Sequence, residues 1–187
     1  MRYVVLFDAC VLYPAPLRDF LLRLSLTGLF AAKWSDRIQR EWSRNLLQDR
    51  PELADRLPKT IDQMNQAIPD VLVTGYEALI SSLQLPDEDD RHVLAAAIVC
   101  GAQAIITFNL GDFPRSELEP YDVEAVHPDA FIENQLDLNP GRVIEAARNA
   151  RTALKNPPKT ATAYIETLAN QGLVISAERL SDFEALI

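Results

Sequence analysis

Apolar and polar residues alternate along the first 130 residues in a pattern that predicts strands separated by helices. Helical spacing is clearest in the stripe Leu17, Phe20, Leu21 and Leu24. Five short apolar runs are predicted as strands, namely residues 3–7, 29–34, 71–74, 104–107 and 123–126. Because these strands alternate with helices, we expect an α/β fold with an open, mostly parallel sheet flanked by helices.

The pattern changes in the last third of the chain, where no strand is predicted. Helical segments are expected at residues 141–154, 161–169 and 176–186, separated by the Pro157-Pro158 pair and by Gly172. We therefore predict two parts, a first domain of residues 1–136 and an all-helical C-terminal extension of residues 137–187.

Acidic residues mark one region of the first part. Four acids, residues 87–90, precede an apolar helix that ends near Cys100, and a strand follows that helix. An acidic first turn stabilises a helix through its dipole, which explains most of these acids without any ligand. Asp112, however, follows the next strand, at the edge where open α/β sheets bind ligands. Acids converging on that edge predict a site for a hard cation.

Two more acids fit the same site. Asp8 ends the first apolar run, and Glu41 lies at the margin of the helical stripe that contains Ile38 and Trp42. Burying an ionised acid beside apolar residues is costly, and neighbouring carboxylates raise one another's pKa unless a cation neutralises them. Mg²⁺ and Mn²⁺ prefer such oxygen ligands.

Charge and composition restrict the partners. The 187 residues carry a net charge of −9, so the whole protein repels a polyanion. Residues 33–59 nevertheless hold seven of the eighteen basic residues, which form either a local nucleic-acid patch or solvated helix faces. Both cysteines lie in apolar elements, which indicates reduced thiols. No run is long enough for a signal peptide or a membrane span, so we expect a soluble, cytoplasmic protein without membrane association.

Four segments in order resemble the PIN-domain nucleases, and in particular the VapC-type toxins of bacterial toxin–antitoxin pairs: VVLFDACVL, IQREWSRNL, PDEDDRHVLAAAI and ITFNLGDF. The resemblance covers about residues 1–130. It implies a PIN-like fold and a metal-dependent endoribonuclease that hydrolyses RNA phosphodiester bonds with Mg²⁺ or Mn²⁺.

The resemblance also implies roles for individual residues. The catalytic and metal-binding acids would be Asp8, Glu41, Asp90 and Asp112. Accessory residues would be Asp87, Asp89, Thr107 and Asn109. We further expect Arg37, Arg40 and Arg44 to contact the RNA backbone. The expected protein partner is a cognate antitoxin or a second copy of the chain, bound through the amphipathic helical extension, which could equally pack on the first domain.

Two alternatives remain open at this point. VVLFDACVLY is similar to the opening strand of haloacid dehalogenase-type phosphatases, with Asp8 as the nucleophile, but Cys10 stands where that pattern requires a second acid. The other alternative is a non-catalytic PIN-like module that binds RNA or protein. A two-histidine ribonuclease is not favoured, because His92 and His127 lie in unrelated settings and are expected at the surface or in helix caps.

Overall fold

The computed structural model describes residues 2–187. Its sheet has five strands in the order β3-β2-β1-β4-β5, and every neighbouring pair is parallel. The strands are β1 (Val4–Phe7), β2 (Ala31–Ser35), β3 (Leu72–Val73), β4 (Ala104–Ile106) and β5 (Glu124–Val126). This confirms the α/β fold with a parallel sheet, and all five predicted strands are present.

Ten α-helices are found in residues 2–187. They are α1 (Ala9–Leu12), α2 (Ala15–Leu26), α3 (Asp36–Asp49), α4 (Leu57–Ala67), α5 (Arg91–Cys100), α6 (Arg115–Leu118), α7 (Pro128–Leu138), α8 (Pro140–Ala153), α9 (Ala161–Asn170) and α10 (Val174–Ser181). Short 3₁₀ segments occur at Pro51–Leu53, Glu77–Ser82, Glu88–Asp90, Leu110–Asp112, Glu119–Tyr121 and Glu184–Leu186.

Some helix boundaries differ from the sequence prediction. The sequence predicts a helix from Pro51 to about Ile68 with a break at Pro58, and the structure has a 3₁₀ turn followed by α4, in which Pro58 occupies the first turn. The predicted last helix is likewise α10 followed by a 3₁₀ turn. α7 was not predicted, although Pro128 opens it as an N-terminal proline typically does.

Local chemistry explains the elements nearest the sheet edge. β1 is buried on both faces, since Val5, Leu6 and Phe7 have no exposed surface, as expected for a central parallel strand. The Ser35 hydroxyl caps α3 by accepting a hydrogen bond from the Ile38 amide at 3.2 Å. α5 ends at Gly101, which adopts the left-handed conformation.

The chain divides into two compact units. The first comprises the residues up to Tyr13 and Phe30–Val126, and it holds the whole sheet with α1 and α3–α6. The second comprises Pro14–Leu29 and His127–Ile187, and it contains α2 and α7–α10. The division into residues 1–136 and 137–187 stays a prediction; the second compact unit begins earlier and also includes α2.

The second unit is a helical cluster. Within it, α2 packs against α8 and α9, and α10 packs against α7 and α9. The buried carboxylate of Asp129 in α7 accepts hydrogen bonds from the Ile175 and Ser176 amides at 2.9 and 2.8 Å, which fixes the start of α10. None of the helices in residues 2–187 combines the length and the apolar character that crossing a lipid bilayer would require.

Candidate active site

The strand order places a natural ligand site at the carboxyl ends of β1 and β4. β2 and β3 lie on one side of β1, whereas β4 and β5, which come later in the chain, lie on its other side. β1 and β4 therefore flank the topological switch point of the sheet, where ligands of open α/β folds bind. Asp8 directly follows β1, and Thr107 directly follows β4.

Asp8 is buried, with 5% of its surface exposed, and both carboxylate oxygens are held in place. Its Oδ1 accepts a hydrogen bond from the Ala9 amide at 2.6 Å. Its Oδ2 accepts hydrogen bonds from the Thr107 hydroxyl at 2.7 Å and from the Cys10 thiol at 3.1 Å. These contacts fix the orientation of the Asp8 carboxylate.

The environment of Cys10 keeps its thiol protonated. Burial, followed by the nearby Asp8 charge, raises the pKa of Cys10 to about 12. The Phe108 amide donates to the Cys10 sulfur at 3.3 Å, and the Thr107 hydroxyl also lies 3.3 Å from that sulfur. Cys10 thus belongs to the site, a role that its position in an apolar run did not indicate.

Glu41 projects from α3 and is partly buried. Its Oε1 lies 2.9 Å from His92 Nε2 and accepts a hydrogen bond from Arg37 Nε at 3.2 Å. Burial acts to raise the pKa of Glu41, but His92 and Arg37 outweigh that effect and the pKa lies below its ordinary value. Glu41 is therefore ionised at neutral pH.

The expectation that His92 lies at the surface or in a helix cap is wrong. His92 is 1% exposed and sits in the first turn of α5, beside Val93. His127 does cap a helix, since its Nδ1 accepts a hydrogen bond from the Asp129 amide at 3.2 Å. The buried segment of α5 therefore begins at His92, one residue before the apolar run that starts at Val93.

The Asp90 carboxyl group is affected by the charges of several other acids. It lies at the end of the 3₁₀ turn that precedes α5 and is partly buried. Burial, followed in order by the charges of Asp8, Asp87, Asp112 and Glu41, raises the pKa of Asp90 to about 7. Acids from four separate places in the sequence therefore raise the pKa of one carboxyl group.

The remaining acids differ in their surroundings. Asp87 accepts a hydrogen bond from the Asp89 amide at 2.8 Å and so caps the 3₁₀ turn. The Asp89 side chain is 95% exposed and lies 3.9 Å from Arg37. Asp112 is half-buried in the 3₁₀ turn after β4, and Asn109 opens that turn with an exposed side chain.

A cavity of about 1270 Å³ lies over this edge of the first unit. Eight of the predicted site residues line it: Asp8, Glu41, Asp89, Asp90, Asn109, Arg37, Arg40 and Arg44. Thr107, Asp87 and Asp112 do not line it. Thr107 contacts the site by its bond to Asp8, whereas Asp87 and Asp112 act on Asp90 through their charge.

The donor set suits a hard cation. The acids supply carboxylate oxygens, and their mutual repulsion at Asp90 is an electrostatic cost that a divalent ion removes. Across residues 2–187, no group of three or more Cys, His, Asp or Glu side chains is arranged to hold a metal ion. Mg²⁺ is commonly bound by only one or two carboxylates, and water and substrate phosphate supply its other ligands.

α3 contributes positive charge to the same cavity. Arg37, Arg40 and Arg44 lie three or four residues apart and share one helix face, over about 10 Å of helix length at 1.5 Å per residue. Arg40 and Arg44 are exposed, whereas Arg37 is engaged by Glu41 and by the Asp89 carbonyl at 3.3 Å. Cations therefore lie beside the acids along one wall.

Comparison with known proteins agrees with this fold. A model of the PIN domain matches residues 4–111, which is more than half of the chain. The protein therefore belongs to the PIN-domain family. A second family model, described as the VapC50 C-terminal domain, matches residues 128–182.

One curated relative narrows the resemblance to the VapC type. The chain is 38% identical over 97 residues to the protein named "Putative ribonuclease VapC50" of Mycobacterium tuberculosis. The aligned region covers 52% of this chain and 57% of the relative, so it spans little more than half of that protein. No solved structure matches the chain.

Proposed function

We propose that this protein is a metal-dependent endoribonuclease that hydrolyses RNA phosphodiester bonds. The observation that carries the proposal is that Asp8, Glu41 and Asp90 line one cavity at the carboxyl edge of the sheet, where neighbouring acids raise the pKa of Asp90. A cluster of acids with a strongly raised pKa in a cleft is typical of a functional site. Membership of the PIN-domain family favours nuclease chemistry over the phosphatase alternative.

Asp8, Glu41, Asp90 and Asp112 would hold Mg²⁺ or Mn²⁺. When bound, such an ion polarises a phosphate oxygen and lowers the pKa of a water for in-line attack. The protein's own contribution begins with Asp8, which the Thr107 hydroxyl and the Cys10 thiol hold in one orientation. Glu41 is kept ionised by His92 and Arg37, so it is available as an anionic ligand. Asp87, Asp89 and Asn109 border these acids as accessory groups.

The cations that line the cavity beside the acids favour a nucleic acid as substrate, and the choice of RNA rests on the curated relative. Arg40 and Arg44 would bind phosphates that flank the scissile bond, and the two residues lie on the exposed face of α3. This local positive charge offsets the net charge of −9, which otherwise repels a polyanion. The name of the curated relative, a ribonuclease, agrees with RNA.

We also propose that the protein is the toxin of a toxin–antitoxin pair and acts in the cytoplasm. The match of residues 128–182 to the VapC50 C-terminal domain supports this role, since it extends the VapC resemblance beyond the PIN domain. The helical second unit would bind the antitoxin or a second copy of the chain.

Cleavage of a labelled RNA by the purified full-length chain tests the enzymatic proposal. We expect cleavage with Mg²⁺ or Mn²⁺, none with EDTA, and none by Asp8→Asn, because loss of a buried anionic ligand weakens metal binding. Asp62→Asn is the matched control, since Asp62 lies exposed on α4 and should cleave normally.

Other outcomes would reject the proposal. RNA cleavage by a folded Asp8→Asn protein would remove the metal assignment. Turnover of a phosphomonoester without RNA cleavage would favour the phosphatase. RNA binding without any cleavage, in protein freed of bound partners, would favour the non-catalytic module.

A further inference from the structure

His92 is a buried polar side chain that the sequence pattern did not explain. Its imidazole has 0% exposed side-chain surface, and its Nδ1 has no hydrogen-bond partner among the described residues. A buried ring nitrogen without a hydrogen-bond partner costs free energy that an apolar side chain would not cost. Such a buried group is explained by local strain, by a bound water or ion, or by a functional role.

The other ring nitrogen of His92 indicates that explanation. His92 Nε2 lies 2.9 Å from Glu41 Oε1, which is hydrogen-bond distance, although the ring N–H is not aligned well enough to form a regular bond. Polar contacts at active sites are often poorly aligned without ligand and become regular in the complex. The contact also joins two elements, since Glu41 lies on α3 and His92 on α5.

The geometry around Glu41 distinguishes its two oxygens. Both His92 Nε2 and Arg37 Nε contact Oε1, at 2.9 and 3.2 Å. Neither of these contacts uses Oε2. Arg37 is in turn held by the Asp89 carbonyl at 3.3 Å, so its guanidinium is restrained on two sides.

We infer that His92 is a positioning residue, which holds Oε1 of Glu41 so that Oε2 remains available to the divalent cation. This inference rests on the proposed function, because it assigns the role through the metal that the acids would hold. Groups that orient a metal-binding carboxylate commonly change metal affinity about 10–100-fold when they are removed. His92 would thus contribute to catalysis without touching the RNA.

Mn²⁺ titration of the full-length protein tests the inference without measuring activity. We expect His92→Leu to bind Mn²⁺ about 10-fold or more weakly, and His92→Gln to stay within about threefold of wild type, because the Gln amide restores an N–H donor of similar reach. His127→Gln is the control, since the other histidine caps α7 in the second unit. It should bind Mn²⁺ like wild type.

Two further measurements separate positioning from a structural role. His92→Leu removes the unpartnered Nδ1 but also the contact that favours ionised Glu41, so we expect its unfolding temperature to stay close to that of wild type. In a Glu41→Gln background, His92→Leu should cause less than about twofold further loss of Mn²⁺ affinity, because its effect passes through Glu41.

The possible failures can be told apart. If wild type binds Mn²⁺ but folded His92→Leu binds equally well, or if His92→Gln is as weak as His92→Leu, the positioning role is refuted and the proposed nuclease stands. If wild type itself binds no Mn²⁺, the metal site is refuted, and the proposed function falls together with this inference.

Discussion

Asp90→Asn should stabilise the metal-free protein at pH 8 while it abolishes metal-dependent cleavage. Burial and the surrounding carboxylates raise the pKa of Asp90 from 3.8 to about 7. The folded state therefore binds a proton that the unfolded state releases between pH 4 and 7. Stability is lost as the pH rises through this window, and above pH 7 the folded protein carries the whole cost of an ionised Asp90.

The size of this cost follows from the pKa difference. A difference of about three in pKa corresponds to at most about 4 kcal/mol, because a difference of one pKa unit is worth about 1.36 kcal/mol. Asp90 is only partly buried, and solvent screening reduces the value, so we expect Asp90→Asn to gain about 1–2 kcal/mol at pH 8. For a chain of this length the gain is a rise in Tm of about 2–8 °C.

Urea and thermal unfolding in EDTA measure this gain. The difference between Asp90→Asn and wild type should shrink as the pH is lowered from 8 to 5, because wild-type Asp90 becomes protonated. Asp89→Asn is the control, since the neighbouring Asp89 side chain is 95% exposed and its substitution should have little effect. Saturating Mn²⁺ should stabilise wild type more than Asp90→Asn.

Two results would refute this reasoning. If Asp90→Asn were no more stable than wild type at pH 8 without metal, the acids would not destabilise one another as the structure indicates. If Asp89→Asn gave the same gain, the effect would come from net charge and not from the position of Asp90.

Two other substitutions probe the walls of the cavity. Thr107→Val removes the hydroxyl that donates to Asp8 and accepts from the Asn109 amide, so cleavage should fall at least about 10-fold with only about 1–2 kcal/mol lost in urea unfolding. Thr60→Val, on α4 and outside the cavity lining, is the control, and unchanged cleavage by Thr107→Val would contradict the role. Arg44→Ala should weaken RNA binding and reduce the dependence of log K on log salt by about one for each lost phosphate contact, and an unchanged salt slope would place the RNA elsewhere.

The sequence predicted the sheet and its edge well because both depend on local patterns. Continuous apolar runs are characteristic of parallel strands buried on both faces, and β1 and β4 show that pattern. An acid just past such a strand must lie at the carboxyl edge, so Asp8 could be placed without coordinates. The Ser35 cap of α3 is local in the same sense, since it joins residues three apart.

The contacts that could not be predicted join residues far apart in the chain. Cys10 and Thr107 meet because β1 and β4 are neighbours, which the order of strands along the chain does not reveal. The contact between Glu41 and His92 depends on how α3 and α5 are placed, which periodicity alone does not specify. The stripe of α2 was correctly predicted as a helix face, but nothing local indicated that α8 and α9 would cover it.

The discontinuous second unit has a consequence for synthesis on the ribosome. α2 ends at Leu26, and its partner α8 begins only at Pro140, so 140 − 26 = 114 positions separate them. At about 5–20 residues per second, the face of α2 that α8 covers waits about 6–23 s for its partner. The sheet unit is complete at Val126, before α8 has been made. A nascent chain could therefore form the acid cluster while the helical unit is still unfinished, and α2 is the segment that a chaperone would find exposed during that interval.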